Sequence, residues 1–311
     1  VIEHTFIRYR SWQSLQDFLK ILALILLGVL AGVISTFLAT TFSLVVVVSV
    51  LGSYALRRYE VENSSSHSFA QGSANLLSRL LGMGGEAAAV CVCIVLYPFG
   101  YFRCRYSQAQ FQAGERPLIL CHGYMTNRSS LLWLARQFEK SGRRNIIIPN
   151  FLPASASITD FAKQLGNIVQ LARERAGVDK VDVLGHSMGG LVVRYYVEQL
   201  GGDAFVDTAV TLGAPHKGTK TAVFGLFDTA RQFLPTAAFI KDLKVARPVQ
   251  DVKMISIWSE FDNIVLPPEN ALLPQPYENV MVKNVGHVAL LFSAQAINQA
   301  RLAFSGSLTA S

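Results

Sequence analysis

The pattern of apolar and polar positions divides the chain into two unlike halves. From Ile21 to Leu56 almost every residue is apolar or small and none is charged, over 36 residues. A membrane-spanning helix needs roughly 20 such residues. The run therefore predicts either two short spans with a break near Ser35 to Thr41 or one long tilted helix. It exceeds the apolar core of a signal peptide, about 7–15 residues; a buried helix of a soluble core is the remaining alternative. Residues 60–75 are polar and Ser-rich and read as a loop. A second apolar stretch, Ala87 to Phe102, is 16 residues long, follows Glu86 and ends at Arg103 and Arg105. That length is marginal for a span and fits an interfacial helix, with a third span as the alternative.

The pattern changes from Pro117 onward. Short β-branched or apolar runs at 117–121, 144–149, 180–185, 205–213, 252–258 and 278–285 predict strands. Helical stretches fall at about 158–176, 188–200 and 289–304. Strands alternating with helices predict an α/β fold with a mostly parallel central sheet and flanking helices.

Composition supports a lipid-facing portion. Hydrophobic residues make up 51% of the 311 residues and charged residues only 16%, against about 25% charged in soluble domains. The net charge is +7 and the pI near 9.3. The Lys and Arg residues form short pairs, such as Arg57-Arg58 and Arg143-Arg144, rather than a dense stripe. That pattern suits anionic lipid head groups and argues against nucleic acid as a partner. Arg8, Arg10 and Lys20 precede the long apolar run and Arg57 and Arg58 follow it. In a hairpin both flanks face the cytoplasm; in a single span they compete. Cys91, Cys93, Cys104 and Cys121 show no metal spacing with His and read as free thiols, a hint of a reducing compartment.

The strongest chemical signal is Gly185-His186-Ser187-Met188-Gly189, a G-x-S-x-G set between the strand KVDVL and the helix GGLVVRYYVEQL. A sharp strand-to-helix turn forces the serine into a strained conformation with its hydroxyl exposed. Ser187 is thus the candidate nucleophile. In such sites the base lies after the last strand and the acid after the strand before it. His287, in Asn284-Val285-Gly286-His287, fits the base, and Asp262, just past 252–258, fits the acid that orients it. Glu260 is the alternative acid and His216, in LGAPHKGT, the alternative base. His122-Gly123-Tyr124 follows the first strand directly. Its loop and the residue after the nucleophile supply the oxyanion-hole donors, so these are the backbone N–H groups of Tyr124 and Met188. His122 reads as a support for that loop.

HGY at 122–124, GHSMGGLVVR at 185–194, TLGAPHKGT at 211–219, the D-x-x-V-x-P of Asp262 to Pro267 and GH at 286–287 together resemble bacterial triacylglycerol lipases and related carboxylesterases. The likeness covers about residues 115–300. It implies an α/β-hydrolase fold, ester hydrolysis through an acyl-enzyme, and lipid esters as substrates. It also implies that the segment from about 218 to 247, with Phe224, Leu226, Phe227, Phe233, Leu234 and Phe239, caps the active site; a helix packed on the core is the other reading. Some secreted members bind a structural calcium ion, but no cluster here matches one, and no cofactor or metal is expected. The expected organisation is a membrane anchor at 1–60, a linker with an interfacial helix at 61–110, and a catalytic domain at 111–311. The expected location is a bacterial inner membrane. The hairpin reading and free cysteines favour a cytoplasmic catalytic domain, while exported lipases with similar motifs favour the other side. An acyltransferase or a thioesterase would use the same triad, and the residues do not separate these from a lipase or phospholipase.

Overall fold

The short apolar runs form strands whose central members are covered on both faces, as expected of a parallel sheet. In the computed structural model β1 (Leu118–Cys121) and β3 (Val181–His186) are buried at every position. They join β2 (Ile146–Ile147), β4 (Val206–Leu212), β5 (Lys253–Ser259) and β6 (Glu278–Val282) in a six-stranded sheet of order β2-β1-β3-β4-β5-β6. All of its pairings are parallel. The structure describes residues 2–63, 75–102, 104–107, 111–245 and 249–305, without the side chains of 2–18, 21, 107 and 245. The Ser-rich loop expected at 60–75 falls mostly outside the described residues, as does Arg103.

Alternation along each strand sends side chains to opposite faces. Ile119, Cys121, Val181 and Val183 enter one core, with helices at Ile158–Ala176 and Met188–Gln199. Leu118, Leu120 and Leu184 enter the other, with helices at Leu132–Lys140 and Ala294–Ser305. These helices are amphipathic, with their apolar faces buried on the sheet. The Ile158–Ala176 helix starts at Ser157, whose Oγ accepts from the Asp160 N–H at 3.1 Å, and stops at Gly177, in the left-handed region at φ 65°.

The N-terminal apolar run is one continuous helix, α1 (Ile2–Asn63), not a hairpin broken near Ser35 to Thr41. The polar residues there do not interrupt it because their hydroxyls bond back along the helix. Thr36 Oγ1 donates to the Gly32 carbonyl at 2.9 Å and Thr40 Oγ1 to that of Phe37 at 3.1 Å. A second helix, α2 (Leu76–Leu96), follows. Leu22–Asn63 and Leu76–Tyr101 are both long and apolar enough to cross a membrane, by length and composition. The chain divides into two compact units, Val1–Ser49 and Val50–Ser311. The last turns of α1, all of α2 and the sheet thus belong to one unit.

Phe161 carries much of the first core: it is buried and its ring lies 5.4 Å from that of Phe151. Phe161→Ala is expected to cost about 3–5 kcal/mol. Thermal unfolding of the detergent-solubilised chain should show a lower midpoint, and an unchanged midpoint would contradict this packing.

Candidate active site

In an open parallel sheet, sites form beyond the carboxyl ends of the strands, where strand order reverses. Here the reversal lies between β1 and β3. The loops after β1, β3, β5 and β6 carry His122-Gly123-Tyr124, Ser187, Asp262 and His287 respectively.

Ser187 is held at φ 54° and ψ −122°, between β3 and the helix Met188–Gln199. Neighbouring glycines permit that turn. A Cβ on Gly185 would lie 2.2 Å from the Gly189 carbonyl oxygen, and one on Gly189 would lie 2.3 Å from that of Cys121. The backbone is fixed from both sides: the Ser187 N–H donates to Leu212 O and the Gly190 N–H to Ser187 O, each at 2.9 Å.

The structure brings the three residues of the expected triad together. His287 Nε2 lies 2.9 Å from Ser187 Oγ, and His287 Nδ1 lies 2.8 Å from Asp262 Oδ2. The other carboxylate oxygen of Asp262 accepts the N–H groups of Ile264 and Val265, both at 2.8 Å. Asp262 is fully buried. Burial alone depresses the proton affinity of His287, but the charge and hydrogen bond of Asp262, with the charge of Glu86, more than offset this. Its pKa therefore lies above the ordinary histidine value. Glu260, the alternative acid, instead accepts the Asn284 N–H at 3.1 Å. His216, the alternative base, is buried against Thr211 Oγ1 at 2.9 Å.

The loop after β1 abuts the serine: a Cβ on Gly123 would come 3.2 Å from Ser187 Cβ. His122 supports this loop, with Nδ1 2.9 Å from Gly123 O and Nε2 accepting the Phe151 N–H at 3.1 Å. The N–H of Met188 opens a helix, where donors lack an intrahelical acceptor. With the Tyr124 N–H on the facing loop, both expected oxyanion donors lie on segments that adjoin Ser187. The Tyr124 side chain turns away to the segment after β4. Its hydroxyl donates to the Leu226 carbonyl and its ring meets Phe233 edge-on at 5.5 Å.

That segment is buried on one side and exposed on the other. Thr229, Ala230, Phe233, Ile240 and Leu243 are buried, whereas Val223, Phe224, Leu226 and Phe227 point outward, Phe224 with 71% of its surface exposed. A small cavity of about 20 Å³ beside the Ser187 turn is walled by Tyr97, Tyr101, His122, Tyr124, Phe151 and Met188, among others.

Several residues around His287 escape the sequence reading. His186, within the motif, has Nε2 3.1 Å from the His287 carbonyl oxygen. Asn263 accepts the His287 N–H at 3.1 Å and donates to Ser53 Oγ at 2.8 Å. Glu86 accepts the N–H groups of Val288 at 3.0 Å and Ala289 at 2.8 Å. A lone acid beside an apolar run is the one sequence signal that pointed to Glu86.

This sheet order and these loops define an α/β-hydrolase fold. Residues 116–242 match the protein-family model described as alpha/beta hydrolase fold. Similar solved structures include lipase B of Aspergillus fumigatus, at 18% identity and a TM-score of 0.56, over 64% of this chain and 55% of that one. Another is the mature form of the Bacillus licheniformis lipase BlEst2, at 17% identity and a TM-score of 0.54, over 66% of this chain and 97% of that one.

The buried histidines should titrate apart. Burial holds His122 down to about 4 and His186 down to about 3, while His287 lies above the ordinary value. NMR titration of ring-labelled histidine should show His287 gaining its proton first as pH falls, with His122 and His186 still neutral at pH 5. Asp262→Asn should move the His287 midpoint down; a midpoint unmoved by that change would contradict the contact.

Proposed function

We propose that the chain is a membrane-anchored serine ester hydrolase that acts on lipid esters. The observation that carries this reading is the unbroken chain of contacts from Asp262 through His287 to Ser187 Oγ at the carboxyl edge of the sheet. Ser187 attacks the ester carbonyl while His287 Nε2 takes its proton. The new C–O bond makes a tetrahedral intermediate, whose oxyanion is met by the N–H groups of Tyr124 and Met188. Collapse expels the alcohol, which leaves with the proton from His287, and an acyl-enzyme remains. Water, deprotonated by His287, then attacks the acyl carbonyl and releases the acid and free Ser187. Asp262 holds the ring with Nδ1–H toward itself and stabilises the imidazolium at each transfer.

Two features support lipid as the substrate class. The stretch Leu22 to Ser49 exceeds the length of a span, and its apolar side chains are almost all exposed. The outward-facing Val223 to Phe227 offer apolar surface beside Tyr124. In this reading the exposed stretch of α1 is the anchor and the segment 218–247 caps the site. The two similar structures with a TM-score above 0.5 reported above carry the name lipase, which agrees with the reading.

The test is hydrolysis of a phospholipid and a neutral glyceride, side by side, by the detergent-solubilised chain and its Ser187→Ala variant. Hydrolysis of one or both lipids should fall by about 10⁶-fold in the variant, with the fold intact. A variant that cleaves lipid at the wild-type rate would refute the proposal. Cleavage of phospholipid by the wild type assigns membrane-lipid turnover; cleavage of glyceride alone assigns a neutral-lipid esterase.

A further inference from the structure

His287 sits on a loop, yet its ring must meet two partners at once. The backbone around it is held by polar groups from three directions. His186 meets its carbonyl, Asn263 takes its N–H, and Glu86 takes the next two N–H groups along the chain. Glu86 differs from the others in kind. It lies on α2, about 200 residues earlier in the sequence, and is 1% exposed. It is aligned with Ala89 and Cys93 on the one face of α2 that is buried. No Lys or Arg forms a salt bridge with it among the described residues. Its carboxylate fits directly under the turn: a Cβ on Gly286 would come 2.4 Å from Oε2.

A buried carboxylate is costly unless it is hydrogen-bonded and electrostatically compensated. The two backbone N–H groups supply the hydrogen bonds, and the imidazolium that forms on His287 during catalysis supplies an opposite charge nearby. We propose that Glu86 is a positioning residue for the base: it locks the 286–289 turn so that His287 reaches both Ser187 and Asp262, and its charge stabilises protonated His287. This rests on the reading of Ser187 and His287 as nucleophile and base. Asp262 makes the direct contact to the ring; Glu86 acts one layer behind it, through the backbone and at a distance. Burial, and to a lesser degree the charge of Asp262, push the Glu86 carboxyl above the usual carboxylate range, against the pull of the Val288 and Ala289 N–H groups and of His287; in its ionised form it raises the proton affinity of His287. The consequence is that α2, whose apolar part the sequence reads as an interfacial helix, also holds the base in position.

The experiment uses the full chain in detergent with a soluble short-chain p-nitrophenyl ester, comparing wild type, Glu86→Gln, Glu86→Asp and Ser187→Ala. Glu86→Gln keeps one acceptor oxygen and removes the charge. It is expected to lower kcat about 10- to 100-fold, with KM unchanged, and to move the acid limb of kcat/KM to lower pH. The sign follows because losing a nearby negative charge makes protonated His287 less stable, so the neutral base persists further into acid. The other groups near His287 stay in place: Asp262 and Glu260 after β5, His186 at the end of β3, and Tyr54 and Arg57 on α1. Glu86→Asp keeps the charge but draws the oxygens back, so kcat should fall with the limb in place. If Glu86→Gln does not fold, this variant carries the test. Wild-type kcat in either folded variant overturns the proposal, as does a loss in Glu86→Gln with an unmoved limb. An active Ser187→Ala variant would instead overturn the underlying reading; an inactive one beside wild-type Glu86→Gln overturns only the role of Glu86.

Discussion

The backbone at Ser187 is the constraint on which the rest of the site depends. A non-glycine residue at φ 54° and ψ −122° costs on the order of 1–3 kcal/mol and persists only where its surroundings enforce it. They do so here because β3 is central in the sheet and buried at every position, with β1 and β4 bonded on either side. Gly185 and Gly189 let the helix Met188–Gln199 start within van der Waals contact of the strand it leaves. The outcome is a serine placed between the helix it opens and the loop after β1, which abuts it at Gly123. A more relaxed turn would lower the serine into the sheet and separate these elements.

The histidine is placed by a different principle. Ser187 is fixed by close packing of backbone against backbone, whereas the 286–289 turn is fixed by hydrogen bonds from side chains on β3, on the loop after β5 and on α2. The end of α1 joins the same support. Ser53 accepts from Asn263, Arg57 donates to the Glu260 carbonyl and lies 5.1 Å from the Phe261 ring centre, and the Tyr54 ring lies 4.7 Å from that of Phe261. The loops that carry Asp262 and His287 are thus bordered by the helices that precede the sheet. In the proposed function, the segment that holds the enzyme at its substrate's membrane continues into the residues that hold the base in register.

Much of this was legible in the sequence because it is local. The elbow is written in five consecutive residues, and the β-branched runs mark every strand to within a few positions. The departures have physical causes. β6 ends at Val282 because Asn284 takes a left-handed conformation, φ 57°, and turns the chain. The last helix starts at Ala294, not near Ala289, because the Ala289 N–H bonds to Glu86 and residues 289–291 form a 3-10 turn. The expected break near Ser35 to Thr41 fails because hydroxyls that favour turns can also bond back within a helix. The contacts of Glu86, Ser53 and Asn263 were not legible, since each joins residues far apart in the chain and no local pattern encodes such a partner.

The central claim is that Ser187 is a nucleophile activated by His287. The most direct measurement is reaction of the chain with a fluorophosphonate probe, with the modified residue mapped by peptide mass spectrometry. The account predicts a single adduct on Ser187, formed in step with loss of esterase activity and strongly slowed in His287→Ala. Esterase activity that survives complete modification of Ser187, or an adduct on another residue that tracks the loss, would contradict it.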